Sequence, residues 1–174
     1  MTSAPGSLYN WSKHDDGLKF QIVMAPNGIC IDAFGPCFGF HHDAFLYNDS
    51  ALKEEFRSIF ESHGASVYAD SAYPRQLGLF TSFKDPKKRL DRDQRHGQAL
   101  LCSARGEVEH YFSMVVSNWR LFNNRADMKA GKRPIPALVF ASFFLTNCLT
   151  CASGSNQSAA RFNCLPPSLE EYLE

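Results

Sequence analysis

Near residue 93 the hydrophobic period of this chain turns helical over a long unbroken stretch, and that change limits what it can fold into. Before it, short apolar runs are separated by turn residues; after it, apolar side chains recur every three or four positions. Residues 18–25 (LKFQIVMA) alternate loosely and run into Pro26-Asn27-Gly28. Residues 29–34 (ICIDAF) resume a strand-like run that ends at Gly35-Pro36, so the two segments predict a β-hairpin. A glycine- and histidine-containing loop, GPCFGFHHD, follows. Leu52, Phe56 and Phe60 then recur at helical spacing, with Ser50 as the expected N-cap. Residues 65–69 read as a short strand that stops at Asp70, with Tyr73-Pro74 as the exit turn. Residues 80–90, charged and interrupted by Pro86, read as loop. From 93 to 122, Leu100, Ala104, Val108, Phe112, Val115 and Trp119 predict one long amphipathic helix. A second, mostly apolar helix is expected at 135–150, and Pro167-Ser168 opens a last helical turn. This order of elements is α/β or α+β.

Charge separates function classes more sharply than composition does. The 18 basic and 18 acidic residues cancel, which excludes a strongly basic chromatin-coating protein and a polyacidic tail. The balance is uneven along the chain: residues 84–133 carry twelve basic and six acidic side chains, while 1–83 carry five and nine. The segment 84–133 is therefore the expected nucleic-acid surface. The start of the chain lacks a basic stretch followed by an apolar run, so no secretory leader is expected. The most apolar stretch, 137–149, has 13 residues. A bilayer needs about 20, so this segment reads as a buried helix and no membrane partner is expected. The six cysteines then read as reduced, mostly buried thiols of an intracellular protein. Cys148 and Cys151 form a C-x-x-C without a second pair, which leaves a redox role as a third reading.

Three carboxylates stand out by placement. Asp43 follows His41 and His42, Asp70 ends a strand-like run, and Glu109 borders the apolar stripe of the long helix. A strand-end aspartate and a helix-borne glutamate suit Mg²⁺ or Mn²⁺, which take carboxylate and phosphate oxygens. Structural roles compete with this reading: Asp70 as a turn cap, Glu109 paired with Arg105 one turn earlier, and Asp43 as an Asx turn or cap.

Four segments, in order, carry a family resemblance. LYNWSKHDDGLKFQIVMAPNG resembles a tyrosine-containing lead-in to a lysine-phenylalanine-glutamine strand and its hairpin. GPCFGFHHDAFLYNDS resembles a GP-x-x-G-R-R-H-D loop, YADSAYP a G-D-x-A-Y-P segment, and ARGEVEHYF an R-x-x-V-E-x-x-F helix. Together with the distal LTNCLTCASGSNQSAARFNCLPPSLEEYL, the chain resembles the catalytic region of Harbinger-like (PIF/Harbinger) transposases and their host-derived relatives, DDE superfamily endonucleases. The resemblance implies an RNase H-like α/β core over residues 1–150, with 151–174 as a C-terminal tail packing on or trailing it. It also implies metal-dependent phosphodiester cleavage and strand transfer on DNA, Mg²⁺ or Mn²⁺ as cofactor, and a nuclear location.

Residue by residue, Asp70 matches the family's second catalytic aspartate and Glu109 its final glutamate. Asp43 and His42 match the supporting loop, Tyr73 shapes the turn presenting Asp70, and Arg105 lies one turn before Glu109. The segments 84–95 and 120–133 become contacts to the double-stranded DNA backbone. The chain departs from the pattern in the loop arginines, replaced by Phe40 and His41, and in the first aspartate, whose strand has no match here. The expectation is therefore an N-terminally truncated core without its first central strand, with an open edge beside 65–69 that a protein partner or a second copy can pair with. Little unaided cleavage is expected of it; the alternative is a non-catalytic DNA-binding or protein-interaction remnant.

Overall fold

A computed structural model describes residues 9–10, 15–16, 18–38, 41, 43–81, 91–123 and 133–174. The chain divides into two compact units, 1–21 with 34–106, and 22–33 with 107–174. Among the described residues the strands form three two-stranded sheets: β1 (Tyr9–Asn10) with β2 (Asp15–Asp16), β3 (Leu18–Met24) with β4 (Cys30–Phe38), and β5 (Val67–Ala69) with β6 (Leu79–Thr81). The class is mixed α/β, as expected. The sheets are smaller than the single RNase H-like sheet that the resemblance implies.

The β3–β4 hairpin forms where the turn residues place it. Ala25 and Ile29 close the turn by an N–H···O bond of 2.9 Å, and the Asn27 side chain accepts from Ile29 N at 3.2 Å. Gly28 sits at φ +79°. The strand does not stop at Gly35-Pro36. Gly35 (φ +142°) serves a close approach instead of a chain reversal: a Cβ there would lie 2.9 Å from the carbonyl oxygen of Lys19 and from the Phe20 ring.

In the first unit, α1 (Asp43–Asp49) starts at the last residue of the expected loop, runs through a stretch for which no element was expected, and leads into α2 (Leu52–His63). Seven residues are too few to show a period, yet α1 buries Leu46 and Tyr47. The Tyr47 ring lies 6.2 Å from that of Phe56 in α2. Leu52 and Phe56 face inward as their spacing requires. Ser50 does not cap α2: Ala51 holds the cap position, and the Ser50 hydroxyl donates to the Tyr47 carbonyl at 2.9 Å. β5 is shorter than the expected 65–69 strand. It pairs in parallel with β6, Ala69 opposite Thr81. β6 runs into the stretch read as loop, because three residues followed by a charged run carry no alternation to read.

The second unit holds the last part of α3 (Arg92–Asn118), a 3₁₀ turn (Arg120–Asn123), α4 (Ile135–Ser153), α5 (Gln157–Phe162) and α6 (Leu169–Leu173), with the tip of the hairpin. Ser168 caps α6 in a reciprocal capping box with Glu171. α4 is longer than the 13-residue apolar run. By length and composition it is long and apolar enough to cross a membrane. Its inward face is nevertheless polar as well as apolar: Ser142, Thr146, Asn147 and Thr150 are buried beside Ile135, Val139 and Phe143. Thr146 accepts from the Trp119 indole N–H at 2.9 Å and donates to the Ser142 carbonyl at 2.7 Å. Phe144, Leu145 and Leu149 face outward.

Asn147, 2% exposed, is the centre of this unit. Its amide accepts from Cys30 N at 3.0 Å and donates to Cys30 O at 2.8 Å. The Tyr111 hydroxyl donates to the same amide oxygen at 2.9 Å, and the amide nitrogen donates to the Tyr172 hydroxyl at 2.9 Å. Asn147→Ala leaves the Cys30 amide and carbonyl buried without partners. It is expected to cost about 2–4 kcal/mol, read as a lower urea midpoint. An unchanged midpoint would show that the strand edge is held by something else.

Candidate functional site

Asp70 follows directly on β5, at the C-terminal end of a parallel strand pair. Its carboxylate Oδ1 accepts from Ser71 N at 2.6 Å and its carbonyl accepts from Tyr73 N at 3.0 Å, so a tight turn fixes the side chain half-buried. Tyr73 is anchored in turn, its ring edge-on to Tyr47 at 6.1 Å. Asp70 thus fills the turn-cap role expected of it, its Oδ1 oriented by the Ser71 amide.

Glu109 lies in α3 and is exposed. Asp70 belongs to the first unit and Glu109 to the second. Asp43 is the first residue of α1 and Arg105 lies within α3, but their side chains, like the whole of His42, fall outside the described residues, as do 82–90 and 124–132 of the basic segment. Its described arginines Arg92, Arg95, Arg120 and Arg133 are exposed. Among the described residues, no group of three or more His, Cys, Asp and Glu side chains is gathered to hold a metal ion. The two carboxylates fit Mg²⁺ or Mn²⁺ in kind, since hard cations take oxygen ligands, but not in number.

The buried acid of α3 is Glu107, not Glu109. Glu107, Tyr111 and Val115 form the innermost line of the helix, at 4%, 1% and 2% exposure. Val108 and Phe112, expected on the buried stripe, are half-buried beside it. A charged residue at the head of the line hid it from an apolar count; the 107-111-115 spacing was its only signal. Ser158 and Arg161 of α5 both donate to the Glu107 carboxylate. Burial pushes this carboxyl up, but the two hydrogen bonds and the Arg161 charge together hold it below its ordinary range.

The C-x-x-C lies in α4 without a disulfide between its two thiols. Cys148 and Cys151 are free, Cys151 is buried, and burial raises its thiol, with Cys148 adding to the effect. Burial likewise pushes the Cys30 thiol up to about 12. A reactive thiol needs the opposite shift.

A family model described as DDE superfamily endonuclease matches residues 2–147, a span that contains both Asp70 and Glu109. The chain belongs to this family, the Harbinger-type DDE transposase nucleases. No curated protein and no solved structure matches it significantly. The match to the DDE endonuclease family ends at Asn147, yet the fold of the second unit continues past it. Asn156 donates to the Gly28 carbonyl at 2.9 Å and caps α5. A Cβ at Gly28 would lie 2.1 Å from the Asn156 side chain. Residues beyond the family match therefore hold the hairpin tip and neutralise Glu107.

Because the folded-state carboxyl of Glu107 titrates below its ordinary value of 4.5, its contribution to stability is complete above that value. It is lost as pH falls through the lower folded value. Glu107→Gln is expected to flatten the acid side of the urea-midpoint profile. An acid limb as steep as the wild type's would mean that Glu107 carries none of it.

Proposed function

We propose that this chain is a DDE endonuclease-family domain that acts on double-stranded DNA in the nucleus. Its basic segment 84–133 holds the phosphate backbone, and Asp70 and Glu109 are the carboxylates it brings to the metal-dependent chemistry of the family. The observation that carries the reading is the family match across both acids. The rigid strand-end turn that presents Asp70 and the concentration of positive charge after residue 83 support it. Asp43, His42, Tyr73 and Arg105 are supporting residues in this reading: Tyr73 shapes the Asp70 turn, and Arg105 steers Glu109 or a phosphate.

In this reading Asp70 and Glu109 would be the residues that hold a divalent cation, and the chemistry such an ion would supply is activation of water against a phosphodiester. The motifs of this chain supply two carboxylates, one short of the family's three. Binding without efficient cleavage is therefore the expected behaviour of the polypeptide alone. A non-catalytic DNA-binding or protein-interaction remnant is the second reading; it differs in predicting that Asp70→Ala changes nothing in a plasmid-nicking assay with Mn²⁺.

Binding of a short labelled duplex is expected to weaken linearly in log–log form as salt rises. Each phosphate contact contributes a slope of about 0.9. Replacing Arg92 and Arg95 together by Ala is expected to reduce that slope by roughly 1–2. Affinity independent of salt, or a slope unmoved by the double substitution, would contradict the assignment of the basic segment.

A further inference from the structure

Three aromatic rings are stacked where β4 passes into α1. The His41 imidazole lies over the Phe45 ring with centroids 4.1 Å apart and planes within 11°. Phe38, the last residue of β4, stacks on the same imidazole at 6.3 Å and 30°. Lys19 of β3 donates from Nζ to the His41 carbonyl at 2.7 Å, which ties the stack to the hairpin and brings an ammonium charge to the same residue. All four residues belong to the first unit.

Part of this arrangement has a local explanation. His41 and Phe45 are four residues apart across the start of α1, in the manner of a staple that sets the angle at which the chain enters a helix. A staple explains the contact between the rings but not their exposure. Phe45 remains 45% exposed and Phe38 39%, although an aliphatic side chain would staple α1 equally well. Exposed flat π faces, aligned and pinned, match what an unpaired nucleotide offers: a base face to stack. A base pair inside a duplex offers no free face, so duplex binding through the basic segment leaves this surface unused.

We propose that the Phe38–His41–Phe45 stack is a platform on which an unpaired nucleobase of a DNA strand packs. The inference rests on the DNA reading above and adds single-stranded or locally unpaired DNA to its substrate class.

The test uses the full chain with a labelled thymine oligonucleotide and a labelled duplex of the same length. Phe45→Leu keeps an apolar staple and loses the planar ring, whereas Phe45→Trp keeps a ring. Phe45→Leu is expected to weaken single-strand binding roughly five- to one-hundred-fold, with duplex affinity unchanged. Phe45→Trp is expected to bind the single strand at least as well as the wild type. Circular dichroism of each variant establishes that it folds. Wild-type single-strand affinity in Phe45→Leu would overturn the platform, as would equal losses in the Leu and Trp variants. If the wild type holds the duplex but not the single strand, the platform alone fails; if it holds neither, the DNA reading itself fails.

Discussion

The carboxamide of Asn147 does for the outer edge of β4 what a neighbouring strand does in a larger sheet. It accepts from the Cys30 amide and donates to the Cys30 carbonyl, both within 3.0 Å. Its remaining capacity is taken by the hydroxyls of Tyr111 and Tyr172. A buried amide satisfied in this way is stabilising, whereas the same strand edge buried without it would carry two orphaned backbone groups. One side chain thus joins β4, α3, α4 and α6, and the second unit depends on it. Burial also drives the Tyr111 phenol well above its ordinary range, with Cys30 and Tyr172 adding to the shift, so the hydroxyl stays protonated as a donor.

That constraint shapes α4. To place Asn147 inside, the helix also turns Ser142, Thr146 and Thr150 inward, and Phe144, Leu145 and Leu149 are left outward. An apolar count along α4 announces a buried helix but gives no direction, because polar residues lie on the buried face and large apolar ones on the exposed face. The same logic applies in α3. The inner line starts at Glu107, whose charge is met by Ser158 and Arg161 from a segment fifty residues later in the chain.

Elements set by local chemistry were therefore legible in the sequence. The Asn27-Gly28 turn, the 52-56 stripe of α2, and the helix start at Pro167-Ser168 each follow from residues within four positions of one another. Elements set by distant partners were not. β4 runs past Gly35-Pro36 because Gly35 must pass close to Lys19 and Phe20. β6 is a strand because β5 is beside it. At the candidate site, the strand-end position of Asp70 was readable from its apolar run and exit turn. The roles of Asp70 and Glu109 came from motif order, since a carboxylate after a strand or on a helix border has many structural uses. The aromatic stack at His41 was not readable, because β4 was expected to end before it.

The family match, the Asp70 turn and the basic segment support one proposal: that Asp70 and Glu109 are acids this chain brings to metal-dependent chemistry on DNA. Calorimetric titration of the folded chain with Mn²⁺, beside Asp70→Ala and Glu109→Ala, tests it most directly. The account predicts weak binding that either substitution abolishes, with the fold of both variants intact. Binding that survives both substitutions, or folded wild-type protein that binds no Mn²⁺, would contradict it.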